Sequence, residues 1–344
     1  MSRRALAIGV VASAVLLAAC TQRSGSEGSG AGADAAAEWQ QPRTEWGDPD
    51  LRGKWPISHL IGTPFVRPTK YGDRRLMTDE EFDQTEKGLE GRNTAYDNET
   101  RDNKIGIGHW AEATVAQRLT SLLVDPPNGQ FPELTEAAKA KAPLMGSSWG
   151  REVFDKPTDF DSWDRCITRG LPPSMFPFNY NNGIEIHQAP GYVVIRLEMI
   201  HEARIVPVDG RAPLDPAIKQ WMGEPRGHWE GDTLVVETTN FNGQGGMTNA
   251  GIPGSPRGNT PTSEKMKITE RFLRTADDTI EYSMTVEDPD VLTRPWTAAY
   301  PMKLDPEYQF FEYACNEDNT AVRNFIVTSR YERAHAGKKK EGKP

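Results

Sequence analysis

PGYVVIRLEMIHEARIVPVDGR (residues 190–211) and RGHWEGDTLVVETTNF (residues 226–241) decide how this chain folds. Val, Ile and Thr dominate both runs, and Gly, Pro and Asp punctuate them. That is the composition of paired strands and turns rather than of helices. In the first run Val193, Ile195, Leu197 and Met199 share one face of an extended chain, and Arg196, Glu198, Glu202 and Arg204 share the other. Side chains alternate along a strand, so an apolar stripe meets a core while a mixed-charge stripe faces away from it.

Downstream and upstream of this stretch the same punctuation continues. From Ile184 onward the chain is expected to be almost wholly strands, at 184–188, 192–197, 201–208, 233–238, 265–275, 279–287, 296–302, 308–315 and 323–329. Short strands joined by turns at this spacing predict an antiparallel barrel or sandwich. Before Ile184, Leu76 to Glu90 predicts a helix capped by Thr78, with acids in its first turn. Asn93 to Trp110 reads as a long loop and Gln117 to Val124 as a strand, stopped by the turn cluster Asp125-Pro126-Pro127-Asn128-Gly129. Thr135 is expected to cap a second helix through Ala142, and Phe160 to Pro177 a short helix carrying Cys166. Gly53-Lys54-Trp55 and Gly227-His228-Trp229 are each similar to the Gly-x-Trp motif of lipocalins, in which the Trp plugs the closed end of a barrel. The expected fold is therefore mainly β, an antiparallel lipocalin-like barrel with an N-terminal helical and loop extension.

The first residues read as a targeting segment. Arg3 and Arg4 precede a short apolar run from Ala5 to Ala18, too short for a permanent membrane span. Leu17-Ala18-Ala19-Cys20 resembles a bacterial lipobox, which implies cleavage before Cys20 and acylation of that residue. Thr21 in place of Asp favours the outer membrane, and acyl chains anchor at roughly 0.8 kcal/mol per buried CH2. The expected organisation is a signal peptide over 1–19, a lipidated Cys and flexible tether over 20–45, and an N-terminal strand with a helical and loop region over 46–183. An antiparallel β domain over 184–331 and a basic disordered tail over 332–344 complete it. Losing Arg3 and Arg4 takes the formal net charge from -9 to -11. Such an acidic protein is a poor partner for nucleic acid. Of three cysteines, Cys20 carries lipid, so Cys166 and Cys315 are expected to pair in an oxidising periplasm.

YVVIRLEMIHEARIVPVDGR, GHWEGDTLVVETTNF, TERF, VEDP, RPWT and FEYACN together resemble an uncharacterised family of secreted bacterial proteins and lipoproteins. The resemblance spans Trp46 to Arg330. It implies an envelope protein with a lipocalin-like β-rich domain and assigns no catalytic residue.

Chemistry is sought in ionisable residues that fall on an apolar phase. Glu270 follows Met266 and Ile268, Glu312 follows Tyr308 and Phe310, and His201 keeps phase with Met199 if the strand runs straight. A carboxylate inside a barrel has a raised pKa unless paired, which suits general acid and base work. Glu270, Glu312 and His201 are thus the candidate catalytic set for a cofactor-independent lyase or isomerase. The competing reading pairs each carboxylate with an arginine such as Arg271 or Arg204 as a structural bridge, and it carries more weight. The six histidines form no His-x-His or His-x3-His pair, so no metal or other cofactor is expected. Gly146-Ser147-Ser148-Trp149-Gly150 has nucleophile-elbow spacing but lacks the strand before and helix after it, and is rejected. The leading expectation is a hydrophobic or amphipathic small molecule bound within the barrel, touching Arg196, Arg204, Trp229, Tyr282 and Trp296. The alternatives are the lyase or isomerase and an envelope scaffold lipoprotein. The oligomeric state is left open.

Overall fold

The computed structural model describes residues 39–142, 153–247, 260–317 and 319–336. Cys20, the tether to Glu38, the Gly146–Gly150 motif and the tail from 337 lie outside them.

Among the described residues ten strands form two antiparallel sheets. They are β1 (Gly53–Lys54), β2 (Leu123–Asp125), β3 (Ile184–Ala189), β4 (Tyr192–Leu197), β5 (Ala203–Pro207), β6 (Glu224–Glu230), β7 (Thr233–Thr239), β8 (Lys267–Ala276), β9 (Thr279–Glu287) and β10 (Trp296–Lys303). The smaller sheet has the order β1-β3-β4-β5 and the larger β2-β10-β9-β8-β7-β6. Local chemistry sets the hairpins. Pro190-Gly191 turns β3 into β4 with Ala189 opposite Tyr192, and Gly191 takes the positive φ of 79° that such a turn requires.

The mainly β class therefore holds, but no closed barrel is found: β5 and β6 are edge strands of different sheets. The inward faces of both sheets instead fill one core. Val193, Ile195, Leu197 and Val206 from the small sheet join Leu234, Phe272, Tyr282, Met284 and Met302 from the large one. Trp296 packs edge-on against Phe65, with ring centroids 5.4 Å apart. Of the two Gly-x-Trp copies only the first plugs this core. Trp55 is buried and its Nε1 donates to the Leu51 carbonyl at 2.9 Å, whereas Trp229 is only half-buried. Gly53 stands at φ 144°, where a Cβ would come within 2.6 Å of Leu304. The N-terminal extension is stitched in as well, since β1 pairs with β3 and β2 with β10.

Among the described residues three α-helices accompany the sheets: α1 (Asp79–Arg101), α2 (Glu136–Lys141) and α3 (Ala321–His335). Thr78 caps α1 in a full capping box with Glu81, and Thr135 caps α2, as their sequences predict. None of the helices in the described residues is long and apolar enough to cross a membrane.

Several expectations are corrected. Residues expected as loop beyond Asn93 continue α1 to Arg101, because tertiary bonds hold its second half: Asn93 donates to the Thr114 carbonyl and Glu99 accepts from Gly108 N. The segment Phe160–Pro177 holds turns and one 3-10 turn at Pro173–Met175 in place of an α-helix. Residues 308–315 are an irregular strap, not a strand, since their bonds go to side chains and to their own local backbone instead of a neighbouring strand. Residues 323–329 are helical: the spacing of Val322, Phe325, Ile326 and Ser329 has a period of 3.6, which outweighs the β-branched composition. That helix carries on to His335, past the boundary drawn at 331. Absent from the expected strand bounds is β6, whose Gly227 lets β5 approach; a Cβ there would lie 2.9 Å from Val206 Cγ1.

Candidate functional site

A two-lobed cleft opens where the β3–β4 hairpin ends against the 308–315 strap. The larger lobe, about 550 Å³, is bounded by His109 to Glu112, Tyr180, Asn181, Tyr308, Gln309, Phe311 and Glu312. The smaller, about 420 Å³, is bounded by Trp163, Asp164, Tyr180, Glu312 to Cys315 and Asn319. Tyr180 and Glu312 belong to both walls, so the lobes adjoin.

Each wall has a local cause. The Ile184–Leu197 pair ends the hairpin, and one residue further Glu198 N donates to the Gly183 carbonyl at 2.9 Å. This leaves the Glu198 side chain buried behind Asn181 and Tyr308 of the larger lobe. Ile200 and His201 then turn the chain with φ of 59° and 46°. A β-branched residue in that region is strained, and strain of this kind is held where the surroundings over-determine it. The strap is tied from both ends: Lys54 Nζ donates to the Tyr308 carbonyl at 2.7 Å, and a Cys166–Cys315 disulfide closes the other end, with Cα atoms 5.6 Å apart.

Glu198 is a buried carboxylate without a cation beside it, held by donors alone. It accepts from Asn181 Nδ2 (3.1 Å), Gly183 N (2.9 Å), Phe311 N (2.8 Å) and the Tyr308 hydroxyl (2.7 Å). Gly183 is required here, because a Cβ would stand 2.8 Å from Glu198 Oε2. Glu112 faces the same phenol: its Oε1 accepts from Asn182 N at 3.0 Å and lies 3.2 Å from the Tyr308 oxygen. One phenol has one proton to give, and the shorter contact gives it to Glu198. Burial, with Glu198 close by, pushes the Glu112 carboxyl above the usual carboxylate range. Its Oε2 is buried with no hydrogen-bond partner among the described residues. Two carboxyl groups are thus joined through one phenol.

Behind the smaller lobe lies Arg169, whose Nη1 donates to the Phe176 carbonyl while its plane rests against Trp163 and Phe178. Burial pulls its pKa down to about 10, so it stays charged. Nearby, burial pushes the Glu202 carboxyl up to about 7, partly offset by Thr168 and the Arg169 backbone. A native-state pKa above the ordinary 4.5 means that the folded protein holds a proton the unfolded chain has released. Stability is then expected to fall as pH rises from 4.5 to about 7 and to level off above it. Glu202→Gln removes that slope, on the order of 2–3 kcal/mol, leaving a residue in the same direction from Glu112 and Asp288. Urea unfolding at a series of pH values measures it, and an unaltered slope in the variant refutes it.

The expected catalytic set does not assemble. Glu270 is buried in the core, where Arg204 and the Tyr282 hydroxyl hold it as a structural bridge. His201 is exposed, its Nδ1 against the Tyr313 carbonyl, and it lines neither lobe. Glu312 is exposed on the cleft rim, not on a strand face. No hydrogen bond joins any two of the three among the described residues. Of the expected ligand contacts, Arg204, Tyr282 and Trp296 are core residues. Arg196 is exposed and paired with Glu185, and Trp229 packs on the core; none of the five lines the cleft. Glu112 and Tyr308, which composition did not single out, are brought together only by the fold. No group of three or more His, Cys, Asp or Glu able to hold a metal is found among the described residues.

No protein-family model, curated protein or solved structure matches this chain.

Proposed function

We propose that this protein is an outer-membrane-anchored periplasmic lipoprotein that binds an amphipathic small molecule in the two-lobed cleft. The anchor reading rests on Leu17-Ala18-Ala19-Cys20 and on the resemblance to secreted bacterial lipoproteins. One observation carries the binding reading. The interior between the sheets, where a lipocalin-like barrel would take its ligand, is filled with side chains, while lobes of about 550 and 420 Å³ walled by aromatic rings lie outside it. Cavities of roughly 300–1,000 Å³ suit a small organic ligand, and apolar walls with a few polar groups set its orientation.

Small molecules retained by protein purified from its native envelope, identified by mass spectrometry, test this. Trp110→Ala removes a half-exposed ring from the larger lobe and is expected to lower retention about tenfold at unchanged fold. Equal retention by the variant, or no retained molecule in the parent, sinks the reading.

Glu112 favours a second reading, cofactor-independent proton transfer as in a lyase or isomerase. Its raised pKa and its link through Tyr308 to Glu198 suit a general acid. In that case Glu112→Gln abolishes turnover of the captured molecule while leaving it bound.

A further inference from the structure

We propose that the larger lobe selects organic cations, small molecules that carry an amine or quaternary ammonium on an apolar body. This rests on the reading of the cleft as a small-molecule site and names the class of ligand it takes.

The walls supply aromatic faces and negative charge together. Trp110, Tyr180 and Phe311 surround the larger lobe, with Trp110 and Phe311 55% and 67% exposed and so free to meet a ligand. Glu112 and Glu312 stand in the same wall. Glu312 makes no hydrogen bond or ion pair with any described residue, an exposed carboxylate held over a cleft without a partner. No Lys or Arg lines either lobe among the described residues, and the chain as a whole carries a formal charge of -9.

An ammonium over an aromatic face is attracted by the ring quadrupole, more strongly when desolvated. A neutral ligand covers the exposed Glu312 carboxylate without giving it a counter-charge, and removing a carboxylate from water unpaired costs free energy. An anionic ligand adds repulsion to that loss. Arg169 makes the two lobes unequal. Its buried guanidinium lies 5.5 Å from the Trp163 ring centroid, behind the smaller lobe, and opposes a cation there. Arg169 lines neither lobe but stands behind the Trp163 wall of the smaller one, so the larger lobe is the more attractive to positive charge.

Titration calorimetry of the whole mature protein with benzyltrimethylammonium, benzyl alcohol and benzoate at fixed ionic strength tests the assignment. The cation is expected to bind at least about tenfold more tightly than the alcohol, and benzoate not at all. Glu312→Gln, an exposed change that the fold tolerates, is expected to erase most of the preference for the cation and leave the alcohol unaffected. Equal affinity for cation and alcohol, tighter binding of benzoate, no binding of the cation, or a preference unmoved by Glu312→Gln each overturns it. Equal affinities overturn the cation assignment alone and leave the cleft as a binding site. A parent protein that retains nothing from its envelope removes that reading independently.

Discussion

Glu270→Leu is expected to lower the stability of this protein by about 3–5 kcal/mol. The cause is the guanidinium it leaves behind. Arg204 is 3% exposed, and its Nη1 and Nη2 donate to the two oxygens of Glu270, Nη1 at 2.9 Å. The Tyr282 hydroxyl completes the carboxylate's shell at 2.8 Å, and Thr238 Oγ1 accepts weakly from Nη2 at 3.4 Å. Removing the carboxylate alone strands a full charge and a phenol proton between two sheets. The double variant Arg204→Met with Glu270→Leu removes both charges and is expected to recover all but about 1–2 kcal/mol, since buried ion pairs are often replaceable by apolar residues of similar volume. Urea unfolding of the parent, both singles and the double closes the cycle. A single-variant loss below about 1 kcal/mol would mean that Arg204 finds another acceptor, and the account of the core would fail.

The second large effect is expected at the disulfide. Cys166 and Cys315 are 149 residues apart, and closing a loop of that length restricts the unfolded chain by about 4–5 kcal/mol in the chain-entropy model. Cys166→Ser with Cys315→Ser is expected to lower the urea midpoint accordingly, and dithiothreitol to reproduce the change in the parent. The cleft should suffer beyond its share of this loss. The strap between Tyr308 and Cys315 carries the Tyr308 hydroxyl and Phe311 N that hold Glu198, and Tyr313, whose hydroxyl accepts from Trp163 Nε1 at 3.1 Å. Ligand affinity in the reduced protein, measured well below its unfolding midpoint, is expected to fall several-fold. An unchanged midpoint and affinity would show the disulfide to be incidental to both.

Strand periodicity was legible because each inward strand face obeys one rule. Val193, Ile195 and Leu197 alternate in sequence and are buried in the structure, and β4 and β9 have the bounds that alternation predicts. The bridging role of Glu270 was legible too, as a carboxylate in phase with Ile268 and Phe272 and with Arg204 among its possible partners. The strap was not. Tyr308, Phe310 and Glu312 alternate as a strand would, but whether such a run pairs with a strand or stands off on side-chain bonds depends on what faces it. Here Glu198, 113 residues away in sequence from Phe311 N, takes that amide.

From the amino-acid order alone came the mainly β class, the caps of α1 and α2, the pairing of Cys166 with Cys315 and the expectation of an anchored, acidic envelope protein. All but the last rest on local or counting rules that act within a few residues or over the whole chain. Tertiary structure decided that the two sheets do not join into one barrel, that side chains fill the space between their faces, and that Glu112, Glu198 and Tyr308 meet. Their meeting is a matter of long-range geometry: three segments far apart in sequence converge because a hairpin end, a helix-braced loop and a disulfide-tied strap share one end of the smaller sheet.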